Sequence, residues 1–192
     1  MDGNEQAGET GGWWRRWRAA ARTAKSRRDT ARRLYMAAVA RARRPRLYAE
    51  LGVPDTPDGR FEMVGIEVAL LIRRLRAIGG EGESLGRFVL EAMVDDLDRN
   101  LREMGVGDLS VGRYVKRMMT SCMARGSELD VALDRDDRAA LARLLERTAW
   151  PGLAPPSESR LLALVNEVIA SAERLAALPD DRLLTAQLDP DA

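Results

Sequence analysis

The chain has 192 residues, 31 basic and 30 acidic side chains, no histidine and one cysteine, Cys122. That inventory excludes histidine acid–base catalysis, histidine metal ligands, Ser-His-Asp and Cys-His nucleophiles, an intramolecular disulfide and C-x-x-C redox chemistry. Abundant Ala, Leu, Arg and Glu with little strand-like alternation predict an all-α protein, and no apolar run reaches the roughly 20 residues of a membrane span.

Met1 to Gly12 is acidic and Gly-rich, without a hydrophobic signal region, and reads as a disordered lead-in. W-W-R-R-W-R follows. Trp13, Trp14 and Trp17 fall on one face of a basic segment with Arg15, Arg16 and Arg18 around it. Such a segment suits an anionic membrane interface or a ribosome, or the tryptophans dock on the body and leave the arginines in water. Residues 13 to 46 hold thirteen basic side chains against Asp29 alone, so a net charge of +1 hides a basic stretch on an acidic remainder. The organisation expected is a basic arm over residues 1–29, a helical domain over 30–180 and an acidic tail over 181–192.

Asp29 or Thr30 caps a helix to about Arg44 with Leu34, Tyr35, Ala38 and Val39 inward, and Pro45 breaks it. A short turn with Leu47, Tyr48 and Leu51 ends at Gly52, and V-P-D-T-P-D-G is a loop. The most apolar helix follows, Arg60 to about Ile78, with apolar residues on both flanks; it is central in its bundle or presents a groove to an apolar client. Gly79 to Glu83 reads as a flexible link.

From an N-cap at Ser84, Leu85, Phe88, Val89, Ala92, Met93, Leu97, Leu101 and Met104 share one helical face, and Gly105 stands where a left-handed residue stops the helix. Asp108 or Ser110 caps the next helix, with the stripe Val111, Tyr114, Val115, Met118, Met119, Cys122 and Met123, and Gly126 closes it. The two make an αα-hairpin. Ser127 to Leu133 is a short helix or turn, and Asp136 and Asp137 open a helix ending near Thr148. W-P-G-L-A-P-P (Trp150 to Pro156) is a boundary, and a last helix from Ser157 to Leu178 is stopped by Pro179. These elements predict a single irregular bundle of about five to seven helices with a basic N-terminal arm.

Asp95, Asp96 and Asp98 invite a Mg²⁺ reading, and with it an all-α Mg²⁺-dependent enzyme. The spacing is D-D-x-D, however, no second aspartate-rich helix follows, and Arg99 and Arg102 lie within helical reach, so ion pairs suffice. G-V-G-D-L-S lacks the preceding strand and the Gly-Lys-Ser/Thr ending of a phosphate loop. Cys122, on an apolar face, reads as a small core residue.

Two long segments carry a resemblance. D-D-L-D-R-N-L-R-E-M-G-V-G-D-L-S-V-G (Asp95 to Gly112) resembles the central signature of the ubiquinol–cytochrome c chaperone family, and L-Y-A-E-L-G-V-P-D-T-P-D-G-R-F-E-M (Leu47 to Met63) is similar to its other signature. The resemblance runs from about Leu34 to Leu145, with a weaker echo at the C-terminus. It departs at Ser121 to Asp130, where the family pattern has an aromatic pair, Gly-Arg and later a Tyr. The resemblance implies a non-catalytic assembly factor that binds newly made cytochrome b and promotes assembly of ubiquinol–cytochrome c reductase, with no cofactor, metal or small-molecule substrate. It implies a small partner protein and work near the ribosome in mitochondrial relatives. A bacterial cytoplasmic location, peripheral at the inner face of the membrane, is expected; the rival reading is a basic-arm nucleic-acid or ribosome binder. Partner-binding candidates carried over from the first signature are Leu47, Tyr48, Leu51, Gly52, Val53, Pro54, Asp55, Asp58, Gly59, Arg60 and Phe61. From the second they are Asp96, Asp98, Arg99, Arg102, Glu103, Met104, Gly105, Val106, Gly107 and Asp108.

Overall fold

A computed structural model of the chain describes residues 7–150, 153, 155 and 157–188, with side chains from Ala24 onward. Its helices are α1 (Ala7–Ala42), α2 (Pro45–Ala49), α3 (Pro57–Ile78), α4 (Gly80–Glu103), α5 (Asp108–Asp134), α6 (Arg138–Ala149), α7 (Glu158–Ala177) and α8 (Asp180–Leu184). No strand occurs among the described residues, so the chain is all-α. Six helices are long, and α2 and α8 have five residues each.

Helix α3 is the axis of the bundle and packs against α1, α4, α5, α6 and α7. Its apolar residues on both flanks explain the position: Val68, Leu70, Leu71 and Leu75 are sealed from solvent, and one helix supplies every neighbour with a buried face. The start is fixed locally. Thr56 accepts a hydrogen bond from the Gly59 N–H at 3.1 Å, and Pro57 occupies the first turn, where its missing N–H costs nothing. Gly59 is obligatory for space, since a Cβ there would stand 2.1 Å from the Pro54 carbonyl oxygen.

Charge also holds α3 in place. Arg41 of α1 donates to Glu67 of α3 at 3.0 Å, and the Ser171 hydroxyl of α7 donates to the same carboxylate at 3.0 and 3.1 Å. Beside them Glu167 accepts from Arg44 (2.8 Å), Arg46 (3.0 Å) and Arg174 (3.1 Å). Burial pushes the Glu167 carboxyl up, but Arg174 and Arg44 outweigh it and hold the group below the usual carboxylate range.

Several expected boundaries differ. No break occurs at Asp29 or Thr30; α1 is helical from Ala7, and Met1 to Gln6 and the side chains of Trp13, Trp14, Arg15, Arg16, Trp17 and Arg18 lie outside the described residues. Between Gly12 and Pro45 nothing opposes a helix strongly, and Thr30 and Ala31 face the core rather than cap a terminus. The flexible link at Gly79 to Glu83 reduces to Gly79 itself, at φ 76°, and α4 resumes at Gly80 ahead of Ser84. A Cβ at Gly82 would meet the Leu75 carbonyl at 2.2 Å, so that glycine serves close packing of α4 on α3.

Gly126 does not end α5 either; the helix runs on to Asp134. A Cβ at Gly126 would meet Ala69 at 3.3 Å and one at Gly65 would meet Cys122 Sγ at 3.1 Å, so these small residues let α3 and α5 approach. Cys122 is buried as expected, and burial pushes its thiol up to about 11. The acidic tail is partly core: α8 packs on α4 and seals Leu183 from solvent, while residues 189–192 lie outside the described residues.

The α4–α5 corner closes as a Schellman turn. Gly105, at φ 82°, donates to the Arg102 carbonyl at 3.0 Å, and Val106 donates to the Leu101 carbonyl at 3.0 Å. Val106 packs on the small cluster of Leu97, Leu101 and Val111. Gly107, rather than Asp108 or Ser110, is the N-cap of α5.

Gly105→Val should therefore destabilise the fold by more than about 1 kcal/mol, because a β-branched residue resists positive φ. Gly112→Ala, in open space within α5, should be neutral or stabilising by up to about 1 kcal/mol. Thermal melts of the two variants test the contrast, and a Gly105→Val melt within a degree of wild type refutes it.

Candidate functional site

The first signature is mostly scaffold. Leu47, Leu51 and Val53 are buried, and the Tyr48 hydroxyl donates to the Ala42 carbonyl at 2.6 Å, closing the α1–α2 corner. Gly52 takes φ 74°, and its carbonyl accepts the indole N–H of Trp150 at 2.8 Å. Trp150 is 2% exposed, so it pins this loop to the end of α6. Pro54 packs against Gly59 as described. The segment reaches solvent at its end, where Asp55 pairs with Arg60 and Asp58 and Phe61 open α3. The Arg60 hydrogen bond holds the Asp55 carboxyl below its usual range.

The second signature divides likewise. Asp96 accepts the Tyr35 hydroxyl at 2.8 Å and the Asn100 amide at 3.2 Å, with Arg99 at 3.9 Å. Arg102 bridges Asp98, at 2.7 Å, to Asp108 across the corner. Asp95 is exposed. The three aspartates thus point to separate partners, and among the described residues no group of His, Cys, Asp or Glu side chains could hold a metal ion. The donor set does not fit the Mg²⁺ reading.

What sequence could not show is that the two segments meet. Asp55, Asp58, Arg60 and Phe61 from the first, and Asp96, Glu103 and Met104 from the second, line one cleft of about 890 Å³. Tyr35 and Val39 of α1 form its back, Met93, Leu97 and Leu101 its α4 wall, and Tyr114, Met118 and Arg125 its α5 wall. The remaining motif residues do not line it: Leu47 to Pro54 and Gly59 build the loop, and Asp98, Arg99, Arg102 and Gly105 to Asp108 build the corner.

Residues that the motifs missed matter here. Tyr35 and Tyr114 read as core stripe, and Arg125 lies in the segment that departs from the family pattern. It pairs with Glu62 at 2.7 Å. Burial raises the Glu62 carboxyl, and Arg125 opposes the rise. Only an interhelical register would have revealed these residues. Trp150 offered a sequence signal, a lone Trp directly before a Pro-Gly boundary.

Asp55, Glu62 and Asp96 are partnered within the protein, and Phe61, Met104, Tyr114 and Met118 supply apolar and aromatic contact surface beside the charged side chains of Arg43, Asp58, Glu103 and Arg117. Burial and the Asp96 bond raise the Tyr35 phenol well above its usual range. A raised phenol contributes stability that is intact below the ordinary tyrosine pKa and is lost as pH climbs above it. Tyr35→Phe should cost about 1 kcal/mol near neutral pH and should flatten the fall in melting temperature above pH ~10. An unchanged alkaline limb in the variant would show that Tyr35 is not the group responsible.

Residues 49–190 match the family model described as ubiquinol-cytochrome C chaperone. The match begins inside the first signature and continues past Leu145, so the C-terminal helices belong to the family domain too. Over 157 residues the chain is 23% identical to ubiquinol-cytochrome-c reductase complex assembly factor 1 of Xenopus laevis, covering 81% of this chain and 78% of that protein. The crystal structure of the Cbp3 homolog from Brucella abortus is similar with a TM-score of 0.77 and 29% identity, covering 91% of this chain and 97% of that one. An all-α fold, two signatures lining one cleft and a family match over most of the length lead to one assignment: the chain belongs to the ubiquinol–cytochrome c chaperone family and is an assembly chaperone, not an enzyme.

Proposed function

We propose that the cleft holds newly made cytochrome b and delivers it for assembly into ubiquinol–cytochrome c reductase. The observation that carries this reading is the convergence of both family signatures on one cleft that offers apolar and aromatic contacts among charged side chains. A membrane protein awaiting its partners exposes lipid-facing helices and unfilled polar groups, and delay in covering them favours aggregation. A groove with an apolar wall and a polar rim covers both kinds of surface. No described helix is long and apolar enough to cross a membrane.

Phe61→Asp and Tyr114→Asp, tested in a strain lacking the chromosomal copy, should lower cytochrome b recovered with the tagged chaperone on the order of tenfold, the size of a hot-spot loss. Spectroscopic haem b and quinol oxidation by the bc complex should fall with it, while transcripts of the subunits stay level. Wild-type recovery by folded cleft variants would remove the cleft from client binding. Normal haem b in the deletion strain would refute the client itself.

The arm supplies a second contact in this proposal. The W-W-R-R-W-R segment lies on the N-terminal part of α1, and its basic character supports contact with an anionic membrane face or the ribosome, consistent with work at the cytoplasmic side where the client would emerge. Arg15→Glu, Arg16→Glu and Arg18→Glu together should reduce co-sedimentation with anionic vesicles or ribosomes. Unchanged partitioning into the membrane fraction would mean that the arm is no tether.

A further inference from the structure

We propose that the α4–α5 corner is a second, independent membrane contact: an apolar tip with a cationic collar that docks on an anionic lipid surface. Leu109, on the first turn of α5, is 96% exposed and Met104 is 58% exposed. The local cluster of Leu97, Leu101 and Val111 is closed without Leu109. A leucine so open on a well-formed helix contributes nothing to the fold that a polar residue would not.

The collar follows directly. Arg113, Lys116 and Arg117 stand at i, i+3 and i+4, exposed on the helix that leads away from the tip. None of the three has an ion pair among the described residues: Arg113 donates to Ser110 Oγ at 3.4 Å, and Arg117 lies over the Tyr114 ring at 4.7 Å. From Leu109 to Ser127 the helix carries no acidic residue. Of the nearby acids, Asp98 and Asp108 are tied to Arg102, which leaves Glu103 at the corner and Asp58 across the cleft without an ion pair among the described residues.

Spacing and chemistry select lipid over the alternatives. At ~1.5 Å per residue, Arg113 lies about 6 Å and Arg117 about 12 Å behind Leu109 along the helix. With the tip at the headgroup–acyl boundary, the collar falls within the layer of lipid phosphates, where basic side chains are attracted. An RNA partner would use the cations and leave Leu109 and Met104 in water. Tyr114, the aromatic beside the collar, already carries Arg117 on one face of its ring, so a base stacking there would have to displace it or use the other face. Met104, Tyr114 and Arg117 also line the cleft, so a docked corner sets its mouth against the bilayer.

An environment-sensitive fluorophore on Leu109→Cys, in the full chain, tests this without interference from the arm. Cys122 is buried with its thiol raised to about 11, so the label goes to the new cysteine. With phosphatidylcholine–phosphatidylglycerol vesicles the emission should shift to the blue and rise about twofold, and lipids carrying a quencher on the acyl chain should quench it. Arg113→Glu with Lys116→Glu should lower that response at least about tenfold, as expected for reversing two cations at a charged surface. A label on Leu162→Cys, exposed on α7, should stay unchanged. If the protein co-sediments with the vesicles while the Leu109→Cys label stays silent, the arm alone binds lipid and the proposal is overturned. No vesicle binding at all overturns it too, and a response to poly(U) RNA but not to vesicles assigns the face to nucleic acid. Cytochrome b recovery by Leu109→Asp, measured separately, keeps failure of this proposal distinct from failure of the client reading.

Discussion

The buried pair Arg41–Glu67 is the constraint from which the rest of the architecture follows. Both side chains are 8% exposed, and the Ser171 hydroxyl joins them, so α1, α3 and α7 meet at one carboxylate. Two opposite charges at that depth add little net stability compared with well-packed apolar residues, but removing one partner strands the other at a cost of about 3–5 kcal/mol. Such a pair acts on register more than on overall stability. It fixes how far α1 has slid along α3, and within two turns N-terminal of the pair each helix presents cleft residues: Tyr35 and Val39 from α1, Phe61, Glu62 and Val64 from α3. A slip of either helix would rotate these side chains out of the cleft.

Small residues set the other wall. Helices α3 and α5 pack tightly where Gly65 faces Cys122 and Ala69 faces Gly126. On the N-terminal side of that crossing, larger residues separate them, and Phe61 of α3 and Tyr114 and Met118 of α5 look into the gap. The cleft is therefore the consequence of a tight crossing at one end and a Schellman corner at the other. Gly105 reverses the chain within two residues, and the short return keeps α5 beside α4, so that its first half forms a wall and not an extension.

How much of this was legible follows from the range of each interaction. The all-α class, the end of α4 at Gly105 and the stop at Pro179 rest on period and local backbone preference, which a sequence prints directly. The α3 axis was legible because its apolar residues cover both flanks. Gly126 misled because glycine serves two purposes: a positive φ at Gly105 and close packing at Gly126 look alike in one dimension. Asp29 and Thr30 misled because capping residues are recognised by type, and Thr30 is buried against the core instead. The cleft itself was illegible, since it joins Tyr35 to Asp96 and Glu62 to Arg125 across 61 and 63 residues of chain. The family signatures marked two of its edges, and most of the motif residues proved to be the loop and corner that hold those edges in place.

The electrostatics of the cleft bear on what it is built to do. Asp55 is paired with Arg60, Glu62 with Arg125, and Asp96 with Tyr35 and Asn100. An occupant meets those three carboxylates already partnered, and it covers Phe61, Met104, Tyr114 and Met118 beside Arg43, Asp58, Glu103 and Arg117, whose charges have no ion pair among the described residues, so apolar contact is a main source of attraction. Apolar contact is non-directional, and its strength grows with area. It therefore tolerates a client whose structure is still forming, and weakens stepwise as that client buries the same surface against its own subunits. A cleft of unpaired charges alone would lock onto one finished geometry and would have to be desolvated again at release. Internal pairing at the rim and open apolar contact inside suit a protein that must hold its partner and then surrender it.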